Sequence, residues 1–231
     1  MPIHILEVLH PLTHIMALPI AIIMSWWYGN KYGYNTKKAI SYSFVMTLVL
    51  VAFSYACVWI PKWLGYTVFL NSARSYIFIP LFAFLMSKPW KIPLLQGLDF
   101  LAPIVFFIRA FVLIGCTLLG CGLAVPCDWG IYSPSQDCIV FPMDLFDLLG
   151  SLVAGVVSLL YAKKLKYDGS GRVFALAMGI MGFVRLFIQF GSREIWWGIV
   201  GLNDETVYSV IAIVISTMIY SYHRKTMKGT D

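Results

Sequence analysis

The chain has 231 residues, 60% of them hydrophobic and 12% charged, with a formal net charge of +6. Soluble domains carry about a quarter charged residues, so water is excluded as the main solvent. Residues 1–231 therefore read as a single polytopic, all-α transmembrane domain. The positive charge sits in short clusters between apolar runs rather than along one face, which excludes a nucleic-acid interface and marks the clusters as topology signals.

A membrane span needs about 20 mostly apolar residues in a helix. No cleavable signal peptide is expected ahead of the first span, because Met1–Leu9 lacks a basic start and contains Glu7. The first apolar run, 11–28, opens beside His10 and His14 of HPLTH, which are four apart and share a helical face. Glu7 is the only nearby candidate for a further metal ligand, so these are read as interfacial histidines, and no metal or cofactor is expected. Runs at 38–60 and 68–86 give the second and third spans. The fourth run, 93–125, is broken by Pro103 and by glycines at 115, 120 and 122. It predicts a kinked span plus a re-entrant or interfacial piece.

The fifth run, 141–162, opens with Asp144 and Asp147, three residues apart and so on one face, where a helix start favours negative charge. The sixth, 172–190, carries Arg185 between apolar neighbours, with Gln189 and Arg193 one and two turns on. A seventh run at 204–222 completes the set. Tryptophans 26, 27, 59, 63, 90, 196 and 197 stand at run ends as interfacial belts.

Orientation follows from the basic residues. Lys31, Lys37 and Lys38 follow the first run, Lys88 and Lys91 the third, Lys163, Lys164, Lys166 and Arg172 the fifth, and Arg224, Lys225 and Lys228 the seventh. Only Lys62, Arg74 and Arg193 fall on the other side. Seven spans with the N-terminus outside and the C-terminus cytoplasmic are therefore expected. Segment 126–140 then faces outward, where an oxidising environment permits a Cys127–Cys138 disulfide.

Charges inside a span are costly and mark candidate sites. Asp99 and Arg109 lie in the fourth run, and Arg185 lies in the middle of the sixth. A guanidinium that keeps its proton and points into a bundle needs an anion. Either an aspartate across the bundle, Asp144 or Asp147, or the phosphate of a lipid headgroup meets that need for Arg185. No GxSxG or phosphate-loop signature is present.

From Leu98 onward the chain resembles the prolipoprotein diacylglyceryl transferases. LDFLAP at 98–103, IGCTLLGCGL at 114–123, DWG at 128–130, FPMDLFD at 141–147 and GRVFALAMGIMGFVRLFIQFGSRE at 171–194 follow the order of the family's landmarks. NSARSYIFIPLFAF at 71–84 is similar to an earlier segment of that family. The resemblance implies a seven-span enzyme of the bacterial plasma membrane. It also implies transfer of diacylglyceryl from phosphatidylglycerol to the cysteine thiol of a prolipoprotein signal peptide, in lipoprotein biosynthesis. By that likeness Arg185, Asp147 and Asp144 are candidate catalytic residues, and Arg193, Gln189, Arg109 and Arg74 candidate substrate-binding residues. The chain departs from the family pattern at Leu113 and Leu119, where the signature has arginine and asparagine, and at Ile77 and Phe78, where it has a histidine-glycine element. Those departures raise a second expectation, a non-catalytic relative that binds lipid or a membrane partner.

Overall fold

The computed structural model describes residues 12–63, 76–120, 124–188, 191 and 204–228. Within them the chain forms seven α-helices and one short hairpin. These are α1 (Ala17–Tyr28), α2 (Thr36–Trp63), α3 (Ile79–Trp90), α4 (Leu94–Leu119), β1 (Pro126–Ser133), β2 (Cys138–Val140), α5 (Met143–Lys164), α6 (Arg172–Ile188) and α7 (Asp204–Lys228). Four helices, Leu12–Tyr32, Thr36–Cys57, Leu94–Leu119 and Met143–Lys164, are long and apolar enough to cross a membrane. Tyr76–Trp90 and Ser209–Tyr222 are shorter apolar helices.

α4 is the axis of the bundle. It packs against α1, α2, α3, α5 and α6, and residues along its whole circumference are buried, from Gly97 to Cys116. A helix apolar on every side belongs inside a bundle. α5 meets α4 and α6 through a stripe of small buried residues, Gly150, Ser151, Ala154, Gly155 and Ser158. Such stripes let helix backbones approach closely in a lipid environment. A Cβ on Gly150 would lie 2.6 Å from Val184 of α6, and one on Gly155 3.1 Å from Phe107 of α4.

The fourth run differs from its sequence expectation. α4 runs unbroken through Pro103 and Gly115 and stops at Gly120, whose φ of 68° is the left-handed helix cap that glycine adopts without a Cβ clash. From residue 124, where a re-entrant or interfacial piece is expected, the chain enters the strands β1 and β2. The hairpin is tied back to the bundle, with Ser133 Oγ donating to the carbonyl of Gly120 at 3.3 Å and Val125 N–H to that of Gly191 at 2.8 Å.

The disulfide expectation is also corrected. Cys127 and Cys138 are both free thiols. β1 bulges between Pro126 and Ile131, so Cys127 leaves the ladder and its Sγ donates to the carbonyl of Trp129, whereas Cys138 stays in register opposite Ser133.

Candidate functional site

Asp147 sits in the second turn of α5, and its side chain points toward α4 and α6. Arg109 of α4 and Arg185 of α6 each donate an Nη2 hydrogen bond of 2.5 Å to the same oxygen, Asp147 Oδ2. All three are deeply buried, with Asp147 3%, Arg185 2% and Arg109 8% exposed. Taking charges out of water costs several kcal/mol per ion unless opposite charges meet in good geometry, and Asp147 supplies the anion for two cations at once. Asp147 Oδ1 has no hydrogen-bond partner among the described residues.

Arg109 is further fixed on two sides. Its Nη1 lies 3.5 Å from the hydroxyl of Ser151, which in turn donates to the carbonyl of Asp147 at 2.8 Å. Its guanidinium carbon stands 4.7 Å from the ring centre of Tyr76, a cation–π contact that favours a desolvated cation.

On the side of Arg109 away from α5 a cavity opens, of about 710 Å³ counting its mouth. Its walls are largely apolar, formed by Leu50 and Val51 of α2 and Val105, Ile108, Val112 and Leu113 of α4. The polar groups on its lining are Arg109, Tyr76, His14, Tyr55, Thr47, Ser54 and the thiol of Cys116. An apolar chamber with a few placed polar groups and one buried cation suits a lipid with an anionic head.

The candidates from sequence divide accordingly. The structure brings Arg185, Asp147 and Arg109 into one cluster. Arg185 has the aspartate partner that was one of its two expected anions, and it does not line the cavity. Asp144 stands in the first turn of α5, partly buried and outside the contacts at Asp147 Oδ2. Arg74, Gln189 and Arg193 lie outside the described residues. Leu113 lines the cavity one turn beyond Arg109. Tyr76 and His14 are cavity residues that sequence reasoning did not select. For His14 the available signal was the HPLTH spacing, which places a polar face on an otherwise apolar helix.

Asp99, the remaining intramembrane acid, belongs to a different structure. Its carboxylate accepts backbone N–H bonds from Gly171 at 2.8 Å and Phe174 at 3.0 Å, capping the start of α6 from across the bundle.

No curated protein and no solved structure matches the chain. The family model for prolipoprotein diacylglyceryl transferase matches residues 12–222, from the helical turn that carries His14 to the body of α7. That family and the apolar helices make this a multi-pass membrane protein with a transferase-type function in lipoprotein biosynthesis. The match spans most of the chain, and the chain belongs to the prolipoprotein diacylglyceryl transferase family.

Proposed function

We propose that this protein transfers diacylglyceryl from phosphatidylglycerol, or a closely related anionic phospholipid, to the cysteine thiol of a prolipoprotein signal peptide. The proposal includes a single domain of seven spans in a bacterial plasma membrane, with the N-terminus outside. In the reaction the thiol sulfur bonds to the glyceryl carbon that carries the phosphate ester. The C–O bond breaks, its electron pair leaves with glycerol phosphate, and the thiol proton passes to a base.

The observation that carries this proposal is Arg109, a buried guanidinium on the wall of an apolar cavity inside a membrane bundle. A fixed cation beside the departing phosphate stabilises the charge that grows as the C–O bond breaks, without reorganisation. Arg109 meets the phosphate, while Asp147 holds it from behind through a 2.5 Å contact and is itself fixed by Arg185 on the same oxygen. Asp144, one turn before Asp147 at the start of α5, is assigned to the same acidic face. Gln189 and Arg193, which continue the polar stripe of Arg185, and Arg74 are assigned to the headgroup on sequence position alone.

Purified protein incubated with phosphatidylglycerol and a lipobox peptide is expected to yield a thioether-linked diacylglyceryl peptide, detected by mass spectrometry. Absence of product, under conditions in which a competent family member makes it, overturns the proposal.

The second reading is a lipid-binding relative without turnover. It is favoured by Leu113, which puts an apolar side chain on the cavity wall where the family signature has an arginine. It predicts phosphatidylglycerol co-purifying with the wild type and lost in Arg109→Ala, with no thioether formed by either.

A further inference from the structure

We propose that His14 is the general base that takes the proton from the acceptor thiol. The inference rests on the transfer reaction proposed above and names the group that reaction leaves unassigned.

Thiol attack on carbon needs the thiolate, and an acceptor held in an apolar chamber does not ionise spontaneously. A base must therefore line the same chamber as the cation that receives the phosphate. Among the described residues on the cavity wall, His14 contributes the one imidazole. The other titratable groups there are the phenols of Tyr55 and Tyr76, the Cys116 thiol and the Arg109 guanidinium. None of these takes up a proton near neutral pH, whereas neutral imidazole does. Asp147 lies behind Arg109, does not line the cavity and already carries two guanidiniums on one oxygen.

The position fits as well as the chemistry. Thr13 Oγ1 donates to the carbonyl of Val112 at 3.4 Å, which sets the level of the first helix against α4. His14 thus stands near Val112, three residues beyond Arg109, or about 4.5 Å further along the axis at about 1.5 Å rise per residue. In the proposed substitution the sulfur and the phosphate oxygen are separated by a single carbon. A base and a phosphate-binding cation on the wall of one cavity, at neighbouring levels of the bundle, suit that arrangement. The ring of Tyr55, whose centre is 5.9 Å from that of His14 and tilted by 54°, packs beside the imidazole.

The step balances without a co-reactant. The thiol proton goes to the imidazole, sulfur forms the S–C bond, the C–O bond breaks, and glycerol phosphate leaves with the electron pair. The imidazolium then returns its proton to the leaving phosphate or to water.

The test compares wild type and His14→Gln on two acceptor peptides that differ only in carrying cysteine or selenocysteine. A selenol is already ionised near neutral pH and needs no base. His14→Gln is expected to lose about 100- to 10,000-fold of its transfer rate to the cysteine peptide and to keep most of its rate on the selenocysteine peptide. Equal activity of variant and wild type on cysteine overturns the inference. Equal loss on both acceptors also overturns it, since that outcome assigns His14 to packing or lipid placement. A wild type that transfers to neither peptide overturns the underlying transfer reaction instead, and the inference with it.

Discussion

Two aspartates, both buried and both in helices of the same bundle, solve the problem of charge in opposite ways. Asp99 is completely buried and spends its two oxygens on the backbone N–H groups of Gly171 and Phe174, at the start of α6. Asp147 is 3% exposed, faces two guanidinium groups with one oxygen, and has no hydrogen-bond partner for the other among the described residues. The first carboxylate is satisfied by peptide dipoles, which cannot leave or exchange. The second is satisfied by side-chain cations, one of which borders a cavity. Intramembrane charge by itself does not mark a site. Charge whose partner also faces open space does.

The contrast between the two aspartates is tested hardest by Asp147→Ala, which leaves two buried guanidiniums without their shared anion. Removing one member of a buried ion pair costs about 3–5 kcal/mol, so thermal unfolding in detergent should show the largest loss of any variant considered. A small shift would mean that the cluster does not hold the bundle together. Arg109→Lys keeps the charge and loses the planar fork that reaches Asp147 and Ser151. Transfer to a lipobox peptide should fall about 10- to 100-fold, the equivalent of losing about 1.5–3 kcal/mol of charge-assisted hydrogen bonding. An unchanged rate would remove Arg109 from the site.

Asp99→Asn retains one acceptor oxygen and turns the other into a donor facing a backbone N–H. It should cost about 1–3 kcal/mol of stability, while the retained phosphatidylglycerol and the catalytic rate per folded molecule stay the same. A selective loss of activity would erase the distinction between the two aspartates. Gly150→Ala tests whether the α5–α6 approach positions Asp147 against Arg185. Its Cβ would press on Val184 at 2.6 Å, and overpacking of that kind costs about 1–3 kcal/mol.

The smallest effect belongs to Asp168, in the turn before α6. Partial burial raises its carboxyl, but hydrogen bonds from Arg172 and Ser170 outweigh that and hold it below the usual carboxylate range. Because the folded value is depressed, the contribution is present above the unfolded value and is lost as pH falls through the folded one. Asp168→Asn should therefore shift stability at neutral pH by no more than about 1 kcal/mol, as for other partly exposed pairs, and by less in acid. Melting curves taken across that range decide it.

Much of the fold was legible without coordinates. Hydropathy is a sum over neighbours in sequence, so the runs at 38–60, 141–162 and 172–190 coincide to within a few residues with Thr36–Trp63, Met143–Lys164 and Arg172–Ile188, whereas the third run, 68–86, begins outside the described residues and its helix is Ile79–Trp90. The end of the fourth run was not legible in this way, because a cap at Gly120 and a kink at Pro103 leave the same mark on a hydropathy profile. The cysteine pairing failed for a related reason, since a bulge in β1 depends on strand register rather than on residue spacing.

The candidate site divides along the same line. The membrane class, the helical segments, the three intramembrane charges in the fourth and sixth runs and, through the order of its motifs, the family are all readable along the chain. Which of those charges meet is settled by the packing of the helices. Arg109, Asp147 and Arg185 are each 38 residues from the next, and Thr13 lies 99 residues from the carbonyl it reaches. Contacts at that range depend on how each helix is rotated and how far it slides along its neighbour. Small residues such as Gly150 and Gly155 set that fit by letting backbones close on one another, and no local pattern of apolar and polar residues records it.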